Sequence, residues 1–537
     1  MINIKKPKIC TPDEVLDKFL KWFDVRKRIA FITAILVGII THLTMITEMI
    51  MSQDGLWNSI AYSRAGTWEL TLGRWGIELI ERLNSFIAIP TISTISCIIT
   101  MAVTAVILVE LFDLKSKISI IVTSAILVLT PTFTATVLYI YTSFAYCFNM
   151  MLSALVILFL YKFENRKIGF ILASICFMLS LSIYQSYIGI TIGLCLMISI
   201  IYILRDEKSL KEIFKGILIT ALSVIVGGVM YYVITKIILK FSGLELAQYK
   251  GLKNVNILDI LLNLKSSIIQ TYKDFVMFFF GDEIVYNSNY KREIYYFVFF
   301  IAFSISSIIA MFSIKRDKKD KIIKILLVIV GLIILPISLN IIDILVSESN
   351  MYALTAVQMI LMIPFAFAIF EIVDKGVLVK WIAIISCICI MWTYYMADNT
   401  SYTALKLTYN QAYSTTMRIM DRIENTTNYT KDTPILFGGI VGNNNYPRTS
   451  NLYSYTIGSI VNNVVFHGTY GGQLGTWQSF IRIFYGMDVT FCNENVYRAI
   501  VTGEEYKKME IFPSPNSVKV MDGIVVVKLS EDPPLPY

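Results

Sequence analysis

The chain has 537 residues, of which 56% are hydrophobic and only 16% charged. That is too little charge to cover a soluble protein of this size, and many apolar runs of bilayer length indicate a polytopic membrane protein. The net charge of +8 does not point to nucleic acid. The bases sit in short clusters between apolar runs, the pattern that orients a protein in a membrane.

In chain order, residues 1–28 form a cytoplasmic segment rich in lysine and arginine, with an amphipathic helix near 12–24. The first apolar run is long enough to span, so no cleaved leader is expected. Apolar runs follow at roughly 29–47, 86–111, 118–140, 143–161, 168–185, 187–204, 216–239, 293–314, 322–346, 354–373 and 376–397. They predict about eleven transmembrane helices. With the N-terminus inside, each inner connection is short and carries lysine or arginine, as the positive-inside rule requires. The expected location is the plasma membrane, multi-pass, with everything after residue 398 outside.

Three outer segments are long: 48–85, 240–292 and the C-terminal region. The second contains a stretch with helical periodicity, expected to lie along the outer interface. The expected division is therefore 1–28 cytoplasmic, 29–398 transmembrane with outer loops 48–85 and 240–292, and 399–537 an extracytoplasmic α/β domain. In that last region 402–424 reads as an amphipathic helix, 434–441 as a buried strand and 495–509 as a helix. Residues 517–529 read as a hairpin turning at Asp522-Gly523, a pair suited to a type I′ turn.

The eight cysteines show no CxxC spacing, and most lie in apolar runs. The two histidines, His42 and His467, are far apart. No disulfide framework and no zinc site is expected.

The first outer loop carries the densest polar chemistry. Glu48, Asp54, Glu69, Glu78 and Glu81 are acids, Arg64, Arg74 and Arg82 are bases, and Trp57, Trp68 and Trp75 suit a membrane–water boundary. An acid soon after the first helix is followed by LGRWGIELI (72–80). Then come PTFTATVLYIYTSFAYCFNM (131–150), LSIYQSYIGI (181–190) and FPSPNSVKVMDGIVVVKL (512–529). These elements together resemble the bacterial glucosyltransferase family that decorates O-antigen and related surface polysaccharides, a branch of the GT-C superfamily. The resemblance implies a polyprenyl-phosphate sugar donor as co-substrate, made on the inner leaflet and flipped outward. It implies transfer of a hexose, glucose by the family's habit, to a surface polysaccharide on the outer face with inversion. A donor synthase and a flippase would be its partners, with membrane lipid around it. The resemblance also implies an essential acid in the first outer loop. Many relatives carry two adjacent acids where this chain has Gln53-Asp54, so no metal and no other cofactor is expected.

An inverting transfer needs one base for the attacking hydroxyl, and a phosphate leaving group departs if its charge is held. Asp54 is the expected base, though aspartate also caps helices well and a short helix begins nearby. Glu48 is read first as the polar end of a crossing and second as an additional acid. Asp282 and Glu283 form an alternative acid pair. Arg74 is expected on the donor phosphate, which a guanidinium grips in a forked geometry, with Arg64 as a second cation. Trp75 either stacks on a sugar or anchors at the interface. Tyr184 and Gln185 lie where two helices meet at the outer end, facing sugar hydroxyls or tying the helices together. Tyr446, Tyr453, Tyr455, Tyr470 and Trp477 mark a region bordering the acceptor path. The competing class is a flippase or transporter of lipid-linked sugar or polysaccharide. That class keeps its charges within the membrane helices, whereas here they concentrate in outer loops.

Overall fold

The computed structural model describes residues 11–58, 61–62, 66–248, 257–282, 291–314, 318–346, 352–373, 376–441, 457, 473–533 and 535. Helices dominate. The N-terminal helix α1 (Pro12–Trp22) is amphipathic and closed by a Thr11/Glu14 capping box. Then come α2 (Val25–Thr41), α3 (Leu43–Thr47), α4 (Gln53–Asn58), strand β1 (Ala61–Tyr62), α5 (Thr67–Thr71), α6 (Gly76–Glu81) and strand β2 (Ile87–Ala88). The long helices α7 (Pro90–Phe112), α8 (Lys117–Leu129), α9 (Pro131–Leu138), α10 (Ser143–Lys162), α11 (Arg166–Ile183), α12 (Ile188–Arg205) and α13 (Leu210–Ser242) follow. Next are α14 (Ile257–Phe280), α15 (Arg292–Ser313), α16 (Lys318–Leu339), α17 (Ile342–Leu345), α18 (Met362–Ile372) and α19 (Val377–Glu424).

Among the described residues, eight helices are long and apolar enough to cross a membrane, or nine if α8 and α9 form one span. Every apolar run of the sequence falls on a helix, but not every run makes a full straight crossing. Two shorter segments account for the difference. The first run becomes α2, with 17 residues, and the tenth becomes a 3₁₀ turn leading into the 11-residue α18. The run 118–140 bends by 41° between α8 and α9. The cause is Pro131, which opens α9 and holds Thr130 in an extended conformation. α14 is amphipathic, with alternate faces exposed and buried, and is not among the eight.

α12 and α7 are the most enclosed spans, while α13 turns most of its surface outward. Glycines allow close approach between helices: a Cβ at Gly189 would overlap the Leu339 carbonyl and one at Gly227 the Ser174 carbonyl. A buried polar cluster fastens the C-terminal end of α2 to α8 and α19. Tyr402 donates to His42 Nδ1 (2.6 Å) and His42 Nε2–H donates to the Val128 carbonyl (2.7 Å). The carbonyl can only accept, so the proton sits on Nε2. Thr134 donates to Asp398 at 2.7 Å in the same region.

α19 is one unbroken helix of 48 residues. Residue 398, where the composition turns polar, lies inside it. Its second half carries a three-stranded sheet, β3 (Ile435–Gly438), β4 (Val518–Met521) and β5 (Ile524–Lys528), in the order β3-β5-β4. β3 pairs with β5 in parallel, β4 with β5 antiparallel. Asp522 and Gly523 both have positive φ, 51° and 78°, as a type I′ turn demands. A helix spans Glu494–Thr502, with a separate short one at Glu504–Lys507. Arg422 joins this sheet to α19 by donating to the Ser514 and Pro513 carbonyls at 2.7 and 2.8 Å.

Candidate functional site

The segment between α3 and α7 is held in place at several points. β1 pairs antiparallel with β2, Ala61 opposite Ala88, which closes the loop on itself. The Ser52 amide donates to the Leu138 carbonyl at the end of α9 (3.0 Å). Tyr409 of α19 donates to the Met51 carbonyl at 3.2 Å. Glu48 forms an ion pair with Lys406 of α19 at 2.5 Å, so its carboxylate joins the loop's start to the last helix.

Asp54 occupies the first turn of α4. The cap of that helix is Ser52, whose hydroxyl accepts from the Gly55 amide at 3.1 Å. Ser52 thus caps this helix, and the Asp54 side chain lies on its exposed face. Tyr141, in the turn between α9 and α10, feels the Asp54 charge. Burial pushes the Tyr141 phenol well up, and the charges of Tyr146, Asp54 and Glu69 add to the effect. Glu69 itself caps α5, accepting from the Gly66 amide at 2.7 Å.

The LGRW element is seated on the end of α11, the turn that follows it, and α13. Gly73 has φ +71°, and a Cβ there would overlap the Tyr231 hydroxyl, so only glycine allows both the turn and the approach. Both Gln185 amide hydrogens are used on this element, donating to the Leu72 carbonyl (2.9 Å) and the Tyr231 hydroxyl (3.0 Å). Only its carbonyl oxygen remains for any further partner. Trp75 Nε1–H donates to Thr235 of α13 at 3.0 Å, which pins the indole to the bundle.

Arg74 projects from this anchored turn into a nest of tyrosines. Its guanidinium lies over the Tyr184 ring, 4.7 Å from the centroid. Tyr146 stacks on Tyr184 at 4.8 Å, and the Tyr184 and Tyr352 hydroxyls are hydrogen-bonded to each other. Arg74 also acts electrostatically on Tyr146, Tyr231 and Tyr352. Tyr146 feels both Arg74 and Glu69, and Tyr141 feels both Glu69 and Asp54. The expected base and the expected phosphate ligand thus both act electrostatically on tyrosines between residues 139 and 146.

Glu81 was one of five acids in the loop with nothing to distinguish it by spacing. In the folded chain it is 2% exposed and accepts from the Ala145 amide at the start of α10 (3.3 Å). Burial pushes its carboxyl up to about 7 from an ordinary 4.5, against the opposing pull of Asn84 and the Ala145 amide. Below pH 4.5 the proton is bound in both folded and unfolded chains. As pH rises to about 7 the unfolded chain gives it up first, so the folded state loses stability across that window, on the order of 3 kcal/mol. Thermal unfolding of the purified protein between pH 4.5 and 8 is expected to show this decline. The Glu81→Gln variant keeps the acceptor for Ala145, cannot titrate, and is expected to lose the slope.

The C-terminal part reaches this loop as well. The helical turn Gln473–Trp477 packs on α4, with the Trp57 ring directly against Gly475. Trp477 itself is buried, stacked on Phe437 at 3.8 Å and bonded to Thr416 at 3.1 Å, so its faces are taken by packing. Asp282 is described and exposed at the end of α14. Arg64, Glu283, Tyr446, Tyr453, Tyr455 and Tyr470 lie outside the described residues. Among the described residues, no group of three or more His, Cys, Asp or Glu side chains is placed to hold a metal ion.

Sequence reasoning gave no individual role to Tyr141, Tyr146, Tyr231, Tyr352 or Glu81. The cluster of tyrosines in 139–146 was the one available signal; Tyr231 and Tyr352 come from distant stretches that no local pattern connects. The model of one protein family, Glucosyl transferase GtrII, matches residues 43–367. That interval begins at α3, takes in the whole segment 48–85 and the tyrosine nest, and ends within α18. No curated protein and no solved structure matches the chain.

Proposed function

The chain belongs to the GtrII glucosyl transferase family, and from that premise we propose that it moves glucose from a polyprenyl-phosphate donor to a surface polysaccharide on the outer face of the membrane. The observation that carries this reading is Arg74, held 4.7 Å over the Tyr184 ring on a turn that Gln185 and Trp75 anchor, with the exposed Asp54 on the same segment of the chain. A carboxylate and a guanidinium on one segment are the minimum set for inverting transfer from a phosphate.

In the proposed reaction Asp54 takes the proton from the acceptor hydroxyl as its oxygen bonds to the anomeric carbon. The bond from that carbon to the phosphate oxygen breaks on the opposite side, with inversion. The electron pair leaves with the polyprenyl phosphate, whose charge Arg74 holds by forked hydrogen bonds. Tyr184 supports the guanidinium from below, and Tyr352 holds Tyr184. Trp75 and Gln185 position Arg74 through the turn they anchor. Glu48 acts through Lys406 on the placement of the loop rather than on substrate. The segment packed on α4 borders the acceptor path.

Comparing the cell-envelope polymer with and without this protein tests the reading. Loss of a hexose side branch, by mass and sugar analysis, is the expected result. An unchanged polymer with a redistributed lipid-linked sugar would assign the chain to transport instead.

A further inference from the structure

α4 is packed between the end of α9 and the polar C-terminal part of the chain. On one side a Cβ at Gly55 would come within 2.8 Å of the Leu138 carbonyl. On the other the turn Gln473–Trp477 rests on the helix. The face that stays exposed carries Asp54, Trp57 and Asn58. These stand at positions i, i+3 and i+4, which point the same way on a helix. The Asn58 side-chain nitrogen donates to the Asp54 carbonyl at 2.9 Å.

Trp57 is held on one side only. A Cβ placed on Gly475 would lie 2.4 Å from both Cδ2 and Cε2 of Trp57. Those two atoms form the bond shared by the two rings, at the middle of the indole. The Gly475 backbone therefore meets a flat face of the ring and not an edge, and only glycine leaves room for that approach. Trp57 is nevertheless 46% exposed, so the opposite face is open. An indole backed in this way is oriented before a ligand arrives and has little side-chain freedom left to lose. The backing comes from the polar C-terminal part, and a carboxylate and an amide share the exposed face. That setting favours a ligand with one flat C–H side and many hydroxyls over a lipid chain.

We propose that the open face of Trp57 is a saccharide subsite for the acceptor: a hexose ring of the polysaccharide lies on the indole, and Asp54 and Asn58 meet the hydroxyls at its rim. The C–H side of a pyranose suits an aromatic face, and its hydroxyls suit a carboxylate and an amide. Side chains one turn apart on a helix are about 5–6 Å apart at Cβ, the span of one sugar ring. A hexose stacked on Trp57 therefore brings a hydroxyl to Asp54. The identity of the polymer rests on the transfer reading above; the subsite itself rests on Gly475 and the exposed face of α4.

The test uses the full chain in nanodiscs and surface polysaccharide purified from cells that lack this protein. Saccharide binding and glucose transfer are measured separately. Trp57→Leu keeps an apolar side chain without an aromatic face. It is expected to raise Kd for the polysaccharide, and the acceptor KM, about tenfold, the worth of one aromatic pairing, with a smaller change in kcat. Trp57→Phe is expected to restore binding to within about threefold of the wild type. Gly475→Ala is expected to weaken binding like Trp57→Leu, because the added Cβ displaces the ring. No binding by the folded wild type, equal binding by Trp57→Leu, or Trp57→Phe as poor as Trp57→Leu overturns the subsite. Transfer that continues unchanged in Trp57→Leu removes the subsite and leaves the transferase. Binding that depends on Trp57 in a chain that moves no glucose keeps the subsite and removes the transfer reading. Melting temperatures accompany each variant. Should Gly475→Ala melt early, the contrast between leucine and phenylalanine at the half-exposed Trp57 decides alone.

Discussion

Replacing Asp54 by asparagine is expected to lower glucosyl transfer about 10²–10⁴-fold, the usual contribution of a positioned base, or roughly 3–5 kcal/mol of barrier. The substitution preserves shape and removes only the proton acceptor. It leaves α4 capped, because the cap is the Ser52 hydroxyl bonded to the Gly55 amide. The variant should therefore insert, purify and melt like the wild type. Transfer measured in membranes with a polyprenyl-phosphate glucose donor, alongside a melting curve, checks both halves. A rate near that of the wild type would remove Asp54 from the mechanism, and a matching loss of folded protein would make it structural. Glu48→Gln offers a contrast: it breaks the ion pair with Lys406, and its smaller effect should fall with the loop's stability.

The second large effect is expected at Arg74. Its guanidinium lies over the Tyr184 ring, and hydrogen bonds to a charged group contribute about 1.5–3 kcal/mol. Arg74→Gln removes the charge and is expected to lower kcat/KM about 10²-fold. Arg74→Lys keeps the charge but loses the planar fork and the stacking, and about a tenfold loss is expected. The ordering of the two separates phosphate recognition from packing. If lysine and glutamine were equally damaging, the residue would be holding the tyrosine nest rather than a phosphate. If neither changed kcat/KM, the donor would be bound elsewhere.

Much of the scaffold could be read from local pattern. Apolar runs mark helices because an unpaired backbone group in hydrocarbon costs several kcal/mol, so nearly any long apolar stretch must be helical. The Asp522-Gly523 turn is equally local, since its two positive φ angles favour those residue types. Run length was a weaker guide to crossings. A proline bends α8 against α9, α18 is short, and the polar half of α19 continues an apolar one without a break. Helical hydrogen bonding does not change at the point where composition does.

The candidate site was only partly legible. Asp54, Arg74 and Trp75 stand out because charge and tryptophan are scarce in such a chain. The roles of Gln185 and Glu81 were not visible, because each depends on a partner far along the sequence: Leu72 and Tyr231 for the one, Ala145 for the other.

By itself, then, the order of residues determined a helical membrane protein with a charged first loop and a turn-closed final hairpin. Those features rest on interactions between near neighbours. Only the tertiary structure decided that Ser52 rather than Asp54 caps α4, that Glu81 is buried, and that Arg74 rests on a tyrosine drawn from the far end of α11. Those outcomes depend on which helices pack together, and side-chain burial and charge pairing are settled only when distant segments meet.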